Sequence, residues 1–213
     1  IELLRELIVS APGFNQAQMD PDRIVATLTD DEVRLLATRM QAEEDHRRFN
    51  RFASLFPDDG PLRRELYPRH MEFFAAGKTH RERCFLGANR AGKTVAGAFE
   101  TNCHLTGLYP DWWDGRRFRR PIRAWVAGDT NETTRDVLQL ELLGAITYNT
   151  TRKLVDGSGI IPRDLIGEPT WKQGVPNLVD TIEIAHKGGG YSLLSFKSYD
   201  QGREAFQGTA VSF

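Results

Sequence analysis

The stretch GANRAGKT, residues 87–94, decides the fold. It matches the pattern G-x-x-x-x-G-K-[ST] at every fixed position, which are Gly87, Gly92, Lys93 and Thr94. Such a loop wraps around a chain of phosphates, because glycine permits unusual backbone dihedral angles and close approach of the backbone. The N-terminus of a following helix adds partial positive charge. The sequence therefore predicts a phosphate-binding loop between a strand and a helix.

Each residue type in the loop has a chemical task. Lys93 can reach the β- and γ-phosphates of a nucleotide, and the hydroxyl of Thr94 can ligate Mg²⁺. Lys93 and Thr94 are therefore the predicted catalytic pair, and ATP and Mg²⁺ are the predicted cofactors. Arg90 either contacts phosphate or points to solvent, and an ordinary glycine turn is the alternative for the whole stretch. The predicted nucleotide contacts are Gly87, Ala88, Asn89, Arg90, Ala91, Gly92, Lys93 and Thr94.

Strands and helices alternate around the loop. ERCFLG (82–87) precedes it as a short apolar strand, and KTVAGAFETNCHLTG (93–107) follows as a helix closed by Gly107. IRAWVAG (122–128) and NETTRDVLQLELLGAI (131–146) predict a second strand and helix. The predicted fold class is α/β, a P-loop NTPase with a mostly parallel sheet flanked by helices. Within residues 180–199, two alternating strands around KGGG predict an antiparallel addition, whereas residues 149–178 give no assignment.

The first 60 residues have a different character. In LTDDEVRLLATRMQ (28–41), Thr29 and Glu32 form a capping-box pattern, and apolar residues then recur at helical spacing. FPDDGP (56–61) is a turn cluster. The predicted domains are a helical N-terminal arm, residues 1–60, and an ATPase core, residues 61–213.

Composition excludes several classes of protein. Nothing approaches an uninterrupted apolar membrane span, and the start of the chain lacks the layout of a secretory signal. Cys84 and Cys103 lack metal-ligand spacing, which disfavours zinc and fits a reducing compartment. The formal net charge is −1, but RRFRRPIR (116–123) holds five arginines and no acid. This run is either a phosphate-binding surface or a solvated loop.

A phosphate-binding loop needs a second half, a buried strand that ends in an acid to position Mg²⁺ and activate water. Asp129 follows AWVAG and Asp180 follows NLV, but neither is accompanied by a second acid. The core is therefore expected to be truncated before this acid, which is expected beyond Phe213, and the isolated chain is expected to lack turnover.

The order of several segments adds a family resemblance. RHMEFFAAGKTHRERCFLGANRAGKT, HLTGLYP, AWVAGDTNET, GIIPRDLI, PNLVD and SFKSYDQGREAFQGT together resemble the ATPase half of the large terminase subunit of tailed bacteriophages, particularly the short-tailed podovirus type. The resemblance covers nearly the whole chain, with the helical arm matching more loosely. It implies a motor that couples ATP hydrolysis to translocation of double-stranded DNA into a procapsid. It also implies a C-terminal nuclease domain, which these residues do not include.

The resemblance implies partners and further site residues. The partners are double-stranded DNA, a small terminase subunit and the portal protein, with the motor acting as a homo-oligomeric ring in the host cell cytoplasm. An adenine-contacting motif would fall at LYPRHMEF, where Tyr67 would stack and His70 would hydrogen-bond in place of a glutamine. Arg203 is a candidate phosphate sensor or trans-acting arginine, against the alternative of a surface arginine. Trp112 and Trp113 form either a subunit contact or a packed aromatic pair.

Three functional hypotheses follow. The first is the packaging ATPase itself. The second is a different P-loop enzyme, such as another DNA translocase, a helicase or a small-substrate kinase. The third is a non-catalytic nucleotide-binding assembly module, which the lack of a recognisable catalytic acid favours.

Overall fold

A computed structural model describes residues 29–208 and 210–213 of the chain. The chain divides into two compact units, Ile1–His46 and Arg47–Phe213. The predicted boundary at residue 60 stays a prediction, and the part of the helical arm before residue 29 lies outside the described residues. No helix in the described ranges is long and apolar enough to cross a membrane.

Helix α1 spans Asp30–Phe49, as the capping-box pattern predicts. The backbone N–H of Thr29 donates to Glu32 Oε2 at 2.8 Å, and the N–H of Glu32 donates back to Thr29 Oγ1 at 3.4 Å. The hydroxyl of Thr29 also donates to Glu32 Oε2 at 2.8 Å, and the two hydrogen bonds from Thr29 to the carboxylate hold the pKa of Glu32 below its ordinary value. The reciprocal pair satisfies two backbone donors that the first turn leaves without partners, so the predicted helix start is confirmed.

The main sheet has four strands in the order β1-β6-β5-β4. Strand β1 (Arg123–Gly128) pairs with β6 (Tyr191–Ser198) in parallel, whereas β6 with β5 (Val179–Ala185), and β5 with β4 (Ile166–Trp171), are antiparallel. The predicted α/β class is confirmed, but the prediction of a mostly parallel sheet is wrong for the described strands. The physical reason is the short glycine turn between β5 and β6, since so few residues permit only an antiparallel return.

A separate two-stranded ribbon accompanies the sheet. Its strands are β2 (Ile146–Asn149) and β3 (Arg152–Val155), which pair antiparallel. Both this ribbon and β4 fall largely in the stretch to which the sequence assigned nothing. Strands β2 and β3 have only four residues each, and β4 contains a glycine and a proline, so the period-2 pattern of all three is weak.

Residues 82–87 do not form the predicted strand. Their side chains alternate as in a strand, with Arg83 and Phe85 half-buried while Cys84 and Leu86 are exposed. A strand is defined by ladder hydrogen bonds to a neighbour, and no strand in the described part of the chain pairs with this segment. The sequence thus predicted the side-chain alternation correctly and the pairing incorrectly.

Helix α2 (Pro68–Ala76) and helix α3 (Lys93–Thr106) follow the first loops of the larger unit. From Phe99 onward every residue of α3 is buried, because the helix lies between two apolar clusters. One cluster joins α3 to the sheet, and the other joins it to α2 and to Phe56 and Trp113. Gly107 ends the helix with φ +72°, as predicted, and a Cβ there would lie 2.7 Å from His186 Nε2.

Helix α4 follows β1 and consists of three consecutive segments: Asn131–Thr133, a π-helical turn Thr134–Gln139, and Leu140–Leu143. The π-helical turn carries Gln139 to the sheet, where its Oε1 accepts from Val179 N at 2.7 Å and its Nε2 donates to Asn177 O at 2.9 Å. The predicted helix is confirmed, although the sequence does not predict its π-helical turn.

Candidate functional site

The loop 87–92 turns twice through left-handed backbone conformations. Arg90 has φ +63° and Gly92 has φ +74°. Glycine adopts this region without steric cost, whereas a residue with a Cβ is uncommon there. The chain therefore curls before α3, and the first turn of that helix faces the loop. A non-glycine residue held in this conformation marks a constrained position.

Lys93, the first residue of α3, folds back over the loop. Its Nζ donates to Gly87 O at 2.8 Å and to Ala88 O at 2.7 Å. The ammonium group thus lies at the mouth of the loop and beside the N-terminus of a 14-residue helix. Positive side-chain charge and the helix dipole together favour an anion at this point.

A cavity of about 700 Å³ opens beside Lys93 and Thr94. Its walls are the segment 82–87, strand β1 through Val126 and Ala127, and helices α3 and α4. A volume of this size is ample for a drug-sized ligand. The two residues predicted to bind phosphate and metal therefore line one cavity next to the loop.

The acids that the sequence singled out do not line this cavity. Asp129 is exposed after β1, where its carbonyl accepts from Asp200 N at 3.1 Å, and Asp180 lies in β5. Three other acids do line it: Glu82, Glu100 and Glu141. No group of three or more His, Cys, Asp or Glu side chains that could hold a metal ion occurs among the described residues.

Two of the three lining acids have cationic partners. Glu100, 1% exposed, accepts from Arg83 at 2.9 Å and lies 3.4 Å from His104 Nε2. Glu141 accepts from Arg51 at 3.0 Å. Each of these two carboxylates is thus engaged in an ion pair with an arginine. These two acids therefore fix the walls of the cavity.

A second cavity, about 360 Å³, brings Tyr67 and His70 together with the loop. Arg90, Ala91 and Gly92 form its loop side. Its other walls come from the region between α1 and α2 and from α3, through Arg51, Leu55, Phe56, Leu62 and Val95. The residues predicted from the resemblance thus share one aromatic pocket with the loop backbone.

His70 contacts the loop itself. A Cβ on Gly92 would lie 3.0 Å from His70 Nε2, so only glycine fits there without displacing the ring. Burial lowers the pKa of His70, and hydrogen bonds to the backbone of Gly92 and Ala91 oppose that shift. The ring also meets Phe85 edge-on, with centroids 5.0 Å apart. His70 therefore joins the aromatic pocket to the last turn of the loop.

Sequence reasoning missed Phe56 and Arg51. Phe56 was read as part of a turn cluster, yet it is 5% exposed and packs edge-on against Tyr67 and Phe99. Arg51 lines the aromatic pocket while pairing with Glu141 of the larger cavity. The aromatic residue at the start of FPDDGP is the signal that could have identified Phe56, whereas no local pattern identifies Arg51.

Other predicted residues lie elsewhere. Arg203 begins the short 3₁₀ turn Arg203–Phe206, is exposed, and lines neither cavity. Trp113 is 3% exposed and lies 5.0 Å from Phe74, and Trp112 stacks on Phe99 at 5.8 Å. The two tryptophans thus form the packed aromatic pair that was one of the two readings, and the sensor role of Arg203 stays a prediction.

Comparison with known proteins links this site to a family. Residues 84–213 match the family model described as terminase large subunit, T4likevirus-type, N-terminal. A curated relative, the terminase large subunit of Salmonella phage P22, is 34% identical over an aligned region that covers 91% of this chain. The chain spans 40% of that relative's length, and no solved structure matches. The family match includes the loop 87–92 and all six strands.

Proposed function

The chain belongs to the family of phage terminase large subunits, and on this premise we propose that it is the ATP-binding part of a viral DNA-packaging motor. In this proposal the whole protein couples ATP hydrolysis to movement of double-stranded DNA into a procapsid and carries a C-terminal nuclease. It works in the host cell cytoplasm as a homo-oligomeric ring on the portal protein, together with a small terminase subunit.

The position of Lys93 is the observation that carries the proposal. Its ammonium donates to the two loop carbonyls of Gly87 and Ala88, at the N-terminus of α3. A phosphate chain in the loop would meet the ammonium, the helix dipole and the loop backbone together. The donor set fits Mg-ATP, since the hydroxyl of Thr94 lines the same cavity and is a hard oxygen ligand. When bound, Mg²⁺ would neutralise charge on the phosphates.

The aromatic pocket supports nucleotide recognition. Tyr67 offers a ring for stacking, and Arg90 belongs to the loop that would hold the phosphates while it also lines the pocket. His70 would act on the base and the loop at once, because its ring already contacts Gly92. The pocket and the larger cavity both adjoin the loop, as a base and a phosphate chain joined by a ribose require.

The chain's own residues supply grip and charge stabilisation. Lys93 would stabilise negative charge on the transferred phosphoryl group, and Arg203 of a neighbouring subunit is a candidate to assist. The water-activating carboxylate is not supplied by Asp129 or Asp180 in this arrangement, because neither lines the cavity. We therefore propose that the isolated chain binds ATP and turns it over slowly or not at all.

ATP binding and turnover measured on the same samples test the proposal. Lys93→Ala should abolish tight ATP binding, because Lys93 supplies the lysine ammonium group among the residues that line the cavity. The matched control is Lys78→Ala, which removes an exposed ammonium paired with Asp114 at 2.7 Å. Unchanged affinity in Lys93→Ala would overturn the assignment of the nucleotide site.

Turnover separates the two remaining readings of the chain. The second candidate, a non-catalytic nucleotide-binding assembly module, is favoured by the position of Asp129 and Asp180 away from the cavity. ATP binding without turnover in the isolated chain, together with ATP turnover by the longer family protein, would favour the motor. Binding without turnover in both would favour the assembly module.

A further inference from the structure

A third cavity, about 450 Å³, has a strongly basic wall. Arg81, Arg83 and Arg116 line it together with His80 and His104, and Glu82 is the single acid among its lining residues. The run 116–123 adjoins this cavity, since Arg116 and Phe118 line it and the carbonyl of Arg123 accepts from the N–H of Ser212, another lining residue, at 2.8 Å. We call Arg116, Arg119, Arg120 and Arg123 the arginine face, and Arg81 is not part of it because it also lines the cavity of Lys93.

The arginine face lacks internal neutralisation. All four side chains are exposed, and none has a carboxylate partner among the described residues. Elsewhere in the molecule arginines are commonly paired, as Arg51 is with Glu141 and Arg69 with Glu72. Positive charge is therefore concentrated and uncompensated here, although the whole chain has a formal net charge of −1.

The backbone that carries this charge is held in place. Arg117, the one arginine of the run outside the face, donates to Trp113 O at 2.9 Å and lies over the ring of Tyr109. The N–H of Phe118 donates to the hydroxyl of Tyr109 at 2.7 Å. An ordered backbone lowers the conformational entropy that a surface loses on binding, which favours a binding surface over a solvated loop.

The glycine turn between β5 and β6 lies against the same run. A Cβ on Gly188 would come within 2.6 Å of Arg119 O, and one on Gly190 would be 3.4 Å from Pro121. The turn adds the cation of Lys187 and no side chain from the three glycines that follow. No side chain of these glycines therefore obstructs the approach of a bulky polyanion to Arg119 and Arg120.

The arginine face is separate from the nucleotide site. None of its four arginines lines the cavity of Lys93, and strand β1 begins at Arg123, three residues before Val126 in the cavity wall. At about 3.3 Å per residue, Arg123 lies roughly 10 Å along the strand from that wall. One face can therefore bind an anion while the loop holds another.

We propose that the arginine face binds the phosphate backbone of duplex DNA. This inference rests on the proposed function, which supplies DNA as a partner, and adds the surface that contacts it. Duplex DNA carries one negative charge per about 1.7 Å of its axis, so several guanidinium groups along one run meet several phosphates. Arginine suits phosphate through its planar, bidentate fork, and contacts of this kind are independent of base sequence, as a packaging motor requires.

Binding of a 30-base-pair random-sequence duplex, measured by fluorescence anisotropy between about 50 and 200 mM NaCl, tests the inference. Arg119→Ala with Arg120→Ala should weaken binding about tenfold or more at low salt. It should also reduce the slope of log Kd against log salt by about 2, roughly 0.9 for each lost phosphate contact. The matched control is Arg34→Ala with Arg39→Ala, which removes two exposed arginines from α1.

Three results would overturn the inference. These are no duplex binding by the unaltered chain, equal losses in the control, and equal displacement by polyglutamate at matched charge, which would indicate an acidic protein partner. ATP affinity is measured in parallel. Loss of DNA binding with normal ATP affinity in the double arginine variant supports the arginine face. Unchanged ATP affinity in Lys93→Ala would reject the nucleotide site and leave the result for the arginine face standing.

Discussion

His70 and Gly92 show how closely single residues are matched at the loop. The ring takes the space that any Cβ at position 92 would need, and it hydrogen-bonds with the loop backbone. The sequence predicted Gly92 from phosphate chemistry alone. The contact with His70 adds a second, independent reason for glycine, which follows from the packing of α2 against the loop.

The buried His70 makes stability depend on pH. Burial lowers its pKa in the folded state, so the unfolded chain binds more protons as the pH falls through about 6.5. Stability is therefore full above that value and decreases toward pH 5. His70→Gln should flatten this decrease, measured as urea midpoints at pH 5, 6, 7 and 8.

His186 supplies the companion variant for that experiment. Burial lowers its pKa as well, so His186→Gln should flatten the profile in the same direction. The double variant should be flatter than either single variant. A slope in His70→Gln equal to that of the unaltered chain would show that His70 titrates alike in the folded and unfolded states.

At the scale of elements, helix α1 depends on its first turn. No described residue of α1 is buried, so capping contributes a large share of its local stability. Thr29→Ala removes the side-chain oxygen that accepts from Glu32 N and should cost about 1 kcal/mol. Hydrogen exchange of the first-turn amides should then be about fivefold faster. Thr38→Ala, which removes a hydroxyl that donates to Arg34 O mid-helix, is the control and should leave those amides unchanged.

Elements with strong local signals were predictable, and those that depend on distant partners were not. The capping box, the Gly107 terminus and the glycine turn between β5 and β6 act within a few residues. Whether residues 82–87 pair as a strand depends on the presence of a neighbouring strand. The wider turn at Gln139 depends on atoms far along the chain, because Gln139 hydrogen-bonds to residues 177 and 179. The site followed the same rule, since the loop residues were found from their motif whereas Arg51 and Phe56 reach the pocket through tertiary packing.

At the scale of the whole molecule, strand β1 connects the two surfaces that we propose bind anions. The loop and Lys93 lie toward its end, and the arginine face surrounds its start. The two surfaces differ in chemistry. A helix N-terminus, a lysine and backbone groups suit one compact polyphosphate, whereas exposed arginines along a run suit an extended polymer. Neither surface needs the side chains of the other.

The segment 82–87 has a practical consequence for the protein in solution. Leu86 is 84% exposed, and the segment alternates like a strand that no described strand pairs with. An apolar, unpaired edge is a template on which further copies can add through backbone hydrogen bonds. We expect the purified chain to self-associate as its concentration rises, and Leu86→Lys to reduce this by placing a charge on the edge.

Sedimentation velocity over a range of concentrations measures that effect. Leu35→Lys, at a 54% exposed leucine of α1, is the control for added charge alone. Equal association in Leu86→Lys and the unaltered chain would exclude this edge as the point of contact. A reduction confined to Leu86→Lys would give a soluble variant, better suited to long data collection at high concentration.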